Sequence, residues 1–192
     1  MRTRLSVLAL LPMLALTSGA AFQKNIGAPE TFTANIQATG GSGGAAAAVI
    51  EIDLQRYTPD PEREAVAGAL KSGGYPGFLT ALRKAPVVGN VTFADRKWPI
   101  RWAREQPSGP NARRITVVTD QPIFFVGGGR ADAKPREGYE VAVLDFEIDN
   151  VGRGKGTMTA AARDKSGGDA GVTIDDYADK PIRMTTVVRK VK

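Results

Sequence analysis

Asp145, Glu147 and Asp149 alternate with Leu144, Phe146 and Ile148, so in an extended strand the three carboxylates share one face. Carboxyl groups two residues apart on a strand approach the ~5–10 Å separation at which a pair of acids can flank a glycosidic bond. Asp145, Glu147 and Asp120 are therefore the candidate catalytic residues for a carboxylate-dependent glycan hydrolase. A plainer reading competes with this one and is preferred. In a hairpin symmetrical about Val151, Glu147 stands opposite Lys155 and Asp149 opposite Arg153, which gives cross-strand ion pairs on a wet face.

The chain has no histidine and no cysteine. That excludes the Ser-His-Asp and Cys-His nucleophiles, thiolate redox chemistry, cysteine-attached haem and ordinary zinc sites. The run Asp145-Phe146-Glu147-Ile148-Asp149-Asn150 fails as a helix-flanked calcium loop, because the sixth position holds Asn150 instead of glycine and the twelfth holds Gly156 instead of an acid. Gly152, Gly154 and Gly156 have the wrong spacing for a nucleotide fingerprint and enter a strand. Lys71-Ser72-Gly73-Gly74 recurs as Lys165-Ser166-Gly167-Gly168, at places where elements end, which is turn chemistry. No cofactor and no metal site is expected.

A second constellation is aromatic and basic. Trp98, Ile100 and Trp102 are spaced for one strand face, with Arg101, Arg104, Arg113 and Arg114 nearby. Such tryptophans most often belong to a core. If they line a barrel mouth instead, then Trp98, Trp102, Arg101, Arg113 and Arg114 suit an amphipathic or lipid-like ligand with an acidic head.

These residues need a scaffold, and the hydrophobic pattern supplies one. Phe32, Ala34, Ile36 and Ala38 alternate with polar residues, Gly40-Gly41-Ser42-Gly43-Gly44 turns the chain, and Ile50, Ile52 and Leu54 face inward on a second strand. Residues 60–85 break the period. There Asp60 can cap a helix that begins at Pro61, Gly73-Gly74 stops it, and a second short helix starts at Pro76, forming a small helical hairpin. Strands resume near Val91 and Trp98, where Pro99 predicts an edge or a bulge. Others follow at Ile115–Thr119, with continuation through Pro122-Ile123-Phe124-Phe125-Val126, before a loop from Gly127. A long hairpin over 139–163 turns at Asp149-Asn150-Val151-Gly152, and two last strands fall at 172–177 and 182–188. The expected fold is mainly β, a single antiparallel β-barrel or sandwich of about eight or nine strands.

The ends and the composition bound the setting. Arg2 and Arg4 precede an apolar run from Leu5 to Leu16, interrupted by Pro12 and too short to span a bilayer, and small residues follow to Ala20. Residues 1–20 read as a cleaved signal peptide, 21–30 as a flexible leader and 31–192 as one β-rich domain. Removing Arg2 and Arg4 from the 26 basic residues leaves 24 against 20 acidic ones, a net charge of +4. That mild, dispersed charge argues against nucleic acid and for no more than attraction to an anionic envelope surface. Aromatic residues make up only 7%, too few for the girdles of a membrane barrel, and no transmembrane segment is expected after signal cleavage.

Several segments carry a resemblance. Arg56-Tyr57-Thr58-Pro59-Asp60 with Glu62-Arg63, Ala81-Leu82-Arg83-Lys84-Ala85-Pro86-Val87-Val88-Gly89, Arg113-Arg114-Ile115 with Thr119-Asp120-Gln121-Pro122-Ile123, and the glycines Gly152, Gly154 and Gly156 follow one another in order. Together they resemble a family of exported bacterial proteins without an assigned activity. The chain departs from that family after Ile123, where Phe124-Phe125-Val126-Gly127 replaces a polar, Trp-containing stretch. The resemblance implies export and a shared fold and brings no site. The sequence thus points to an exported, periplasmic or extracellular binding domain without catalysis. A glycan hydrolase and a structural or protein-interaction module are the alternatives.

Overall fold

The computed structural model describes residues 27–39, 45–123, 138–164, 174–176 and 182–190. Residues 1–26, which hold the expected signal peptide and most of the expected leader, lie outside these residues, as do 40–44 and 124–137. Within them the chain forms nine strands and one helix. The elements are β1 (Glu30–Thr39), β2 (Ala45–Leu54), α1 (Asp60–Lys84), β3 (Gly89–Phe93), β4 (Arg96–Pro107), β5 (Ala112–Thr119), β6 (Val141–Asp149), β7 (Arg153–Asp164), β8 (Ile174–Asp176) and β9 (Ile182–Lys190).

Every pairing is antiparallel, and neighbours run β6-β5-β4-β3-β2-β1-β9-β7, with β6 also paired to β7. That last pairing closes an eight-stranded barrel, and β8 adds to the far end of β7. Closure leaves none of the eight barrel strands as a free edge, and it decides for the barrel over the sandwich. The expected hairpins are present: Phe32 faces Ile52, Ala34 faces Ile50, and Glu147 faces Lys155 in register.

The inward phase of each strand fills the barrel. Phe32, Ile36, Ile52, Ile100, Leu144 and Phe146 are fully buried, and the rings of Phe32 and Phe146 meet edge to face at 5.2 Å between centroids. An eight-stranded barrel is just wide enough for its own side chains, which explains how this sequence folds without disulfides.

Helix α1 lies outside the barrel and seats Leu79 and Leu82 on Val118 and Val141, with Tyr75, Phe78, Trp102 and Val143 packed around them. The expected stop falls at Gly74, whose φ of 59° and ψ of −158° separate two helical stretches of α1 just ahead of Pro76. Pro59, not Asp60, takes the N-cap position without a side-chain cap, and Asp60 pairs instead with Arg63. Glu30, read as the last residue of a flexible leader, is the first residue of β1 and is buried. A lone charge ahead of an apolar run resembles a leader in sequence, whereas the fold gives that charge a partner.

The tryptophans part company. A bulge between Ile100 and Trp102 shifts the pairing of β4 with β5, so Trp98, Ile100 and Ala103 point into the barrel while Trp102 packs beneath α1. The single face expected for Trp98, Ile100 and Trp102 is therefore divided by the extra residue, Arg101. Pro99 sits immediately before that bulge, where β4 is paired to β3 but not yet to β5.

Candidate functional site

One end of the barrel is closed by charge. Glu30 on β1, Glu105 on β4, Arg113 on β5 and Arg189 on β9 all fall in the inward phase of their strands, in step with Phe32, Ala103, Ile115 and Val187. Successive residues of a strand face opposite sides, so a charge in step with core residues is driven toward the lumen and must be neutralised there. It is. Arg113 donates to Glu30 at 2.5 Å and 2.9 Å and to Glu105 at 2.8 Å, while Arg189 lies 3.5 Å from Glu30.

Tyr57, in the link from β2 to α1, completes the plug by donating its hydroxyl to Glu30 at 2.7 Å. The link is held across this end by Thr58, whose N–H bonds Ala103 O at 2.9 Å and whose Oγ1 accepts from Ala103 N at 2.8 Å. Burial, reinforced by the bond to Glu30, pushes the Tyr57 hydroxyl far above its ordinary pKa. For Arg113, burial alone would favour loss of the proton, but its bonds to Glu30 and Glu105 outweigh that and raise its pKa.

Over this plug opens a cleft of about 620 Å³. Tyr57, Pro107 and Pro110 contribute apolar wall, and Arg56 and Arg63 bring cationic groups to the same space. Both arginines are partly exposed at their ion pairs with Glu62 and Asp60. Such pairs hold weakly and can exchange one carboxylate for another. The cleft can thus take a small molecule with an acidic group at one end and apolar surface along the other.

The residues singled out in the sequence do not converge as one site. Arg113 lines the cleft, but Trp98 is inside the core and Trp102 is under α1. Arg101 bonds Asp120 at 2.7 Å and the carbonyl of Ala85 at 3.0 Å, tying the bulge to the end of the helix. Arg114 grips Asp145 on the outer face, where Thr116 also donates to that carboxylate at 3.0 Å. Glu147 accepts the hydroxyl of Ser108, and Asp149 accepts the backbone N–H groups of Val151 and Arg153 at the hairpin turn.

The catalytic candidates are accordingly engaged in structural bonds, apart from Asp120 Oδ1, which is buried without a hydrogen-bond partner. Glu30, Tyr57, Glu105, Arg56 and Arg63 went unselected in the sequence. The legible signal for Glu30 and Glu105 was a charge in the apolar phase of a strand.

The geometry defines a closed antiparallel β-barrel with an ionic plug and an external helix. Comparison with protein-family models, curated proteins and solved structures returned no match. Among the described residues, no helix is long and apolar enough to cross a membrane.

Proposed function

We propose that this barrel is an exported, non-catalytic binding domain that takes a small amphipathic ligand with an acidic head in the cleft over its plugged end. The observation that carries the reading is the meeting of Arg56 and Arg63 with the apolar wall of Tyr57, Pro107 and Pro110 around 620 Å³ of open space. A lumenal site near Trp98 is disfavoured, because that region is packed with core side chains. Support for export comes from the basic and apolar pattern of residues 1–20. Catalysis is disfavoured by the engagement of Asp145 and Glu147 with Arg114, Thr116 and Ser108.

The test is titration of the protein with decanoate, monitored by NMR, alongside native mass spectrometry of gently purified material. Decanoate is expected to shift resonances of Tyr57, Pro107 and Pro110, with decanol much weaker. Replacing Arg56 and Arg63 together with alanine should weaken decanoate binding about tenfold or more. Equal binding of decanol, or shifts centred on Trp98, would overturn the reading.

A further inference from the structure

A second groove, of about 1010 Å³, runs over the outer face of β5, β6, β7 and β9. Its charges are divided in an unusual way. Each acid along it already has a donor: Asp145 has Arg114 and Thr116, Glu147 has Ser108, and Asp149 has the backbone of its own turn. Three bases are left over. Arg153, Lys155 and Arg183 are exposed and lack a side-chain hydrogen bond or ion pair among the described residues. Lys155 stands opposite Glu147 in the ladder, yet the Glu147 carboxylate is turned to Ser108.

The cations are spaced along a line. Arg153 and Lys155 are two residues apart on β7, roughly 6.5–7 Å along the strand, and Arg183 sits on β9 directly across from Thr157. Thr157, on the same face of β7 as Arg153 and Lys155, adds a hydroxyl to the groove, and Thr185 adds another that is bonded to the carbonyl of Asn35.

We infer that this groove binds a linear anionic polysaccharide, an extended chain of sugar rings carrying carboxylates. The uncommitted bases meet the acid groups, while threonine hydroxyls and the spare carboxylate oxygens of Glu147 and Asp149 bond sugar hydroxyls. Those carboxylates decide the class, since they accept from hydroxyls but repel a chain that offers only negative charge. The inference is independent of the ligand proposed for the cleft.

The experiment is affinity electrophoresis of the full chain through gels containing polygalacturonate, neutral dextran or inorganic polyphosphate. Polygalacturonate should retard the protein, with retardation falling as salt rises, and dextran should not. The double variant Lys155→Glu/Arg183→Glu should lose affinity about tenfold or more. Lys155→Ala/Arg183→Ala, a milder change at the same exposed positions, should lose it in the same direction, with circular dichroism confirming the fold of both. The cleft variant Arg56→Ala/Arg63→Ala should be retarded like the parent. Absence of retardation, unchanged retardation of both groove variants, or equal retardation by dextran would overturn the inference. Stronger retardation by polyphosphate than by polygalacturonate would overturn the polysaccharide assignment in favour of an inorganic polyanion.

Discussion

Glu30 and Arg113, 83 residues apart in the chain, meet as a two-point ion pair at 2.5 and 2.9 Å, with both side chains largely withdrawn from solvent. The fork geometry suits guanidinium and carboxylate, and it links the first strand of the barrel to the fifth. A charge buried in this way is tolerable only while its partner remains, so the pair behaves as one unit.

Replacing Arg113 with methionine should therefore destabilise the protein by ~3–5 kcal/mol, because Glu30 is left buried beside Glu105 without its main counter-charge. Adding Glu30→Gln to that variant should restore part of the loss. Urea denaturation of the two single variants and the double variant measures the coupling. Additive losses would show that the two residues act separately.

Tyr57 gives the plug an alkaline limit. At neutral pH its hydroxyl is protonated in both folded and unfolded chains and contributes no pH dependence. Above the ordinary value of 10.0 the unfolded chain releases that proton while the folded chain retains it. The unfolded state then binds fewer protons, and stability falls as pH rises. Tyr75, raised chiefly by burial, adds to the same decline. Stability measured from pH 9 to 12 should drop beyond pH 10, and Tyr57→Phe should make the drop shallower. An unaltered slope in that variant would remove Tyr57 as a cause.

The bulge at Arg101 separates two tryptophans by role, and their truncations should differ in kind. Trp98→Ala hollows the barrel core and should cost ~3–5 kcal/mol of global stability. Trp102→Ala removes part of the seat under α1 and should mainly speed amide exchange in the helical arm after Gly74, leaving exchange in the barrel strands slow. Hydrogen exchange by mass spectrometry resolves the two regions. Equal acceleration everywhere in the Trp102 variant would mean that helix and barrel unfold as one.

The strands were legible because one wet face and one dry face impose a period of two, and that period survives across the described side chains of β1, β2 and β6. Closure was not legible, since the β6 to β7 hairpin reads the same in a sandwich as in a barrel. The bulge was half legible, since Pro99 signals an edge or a bulge, but nothing in the sequence shows that the extra residue is Arg101 or that it turns Trp102 to the other side. The plug lay between these cases. Glu30 and Glu105 stand where an apolar residue belongs, but only the staggered strand order reveals that they answer Arg113 at the same barrel end.

Gly154 provides the sharpest test of closure. A methyl group added there would lie 1.7 Å from the carbonyl oxygen of Glu147 and 2.9 Å from the Cα of Ile148, both on the backbone of β6. Neither neighbour is the end of a flexible side chain, so β6 and β7 would have to part at the seam that closes the barrel. Gly154→Ala is expected to lower stability by ~3 kcal/mol or more, at the upper end of overpacking costs. Gly68 in α1 is the counter-case, because a methyl group there meets nothing within 4 Å. Gly68→Ala should leave stability unchanged or raise it by ~0.5–1 kcal/mol, since alanine gives up less freedom on entering a helix. Thermal melts of the two variants should consequently move in opposite directions from the parent, or the second not at all. If Gly154→Ala melts with the parent, the strands are not in the close contact that closes the barrel.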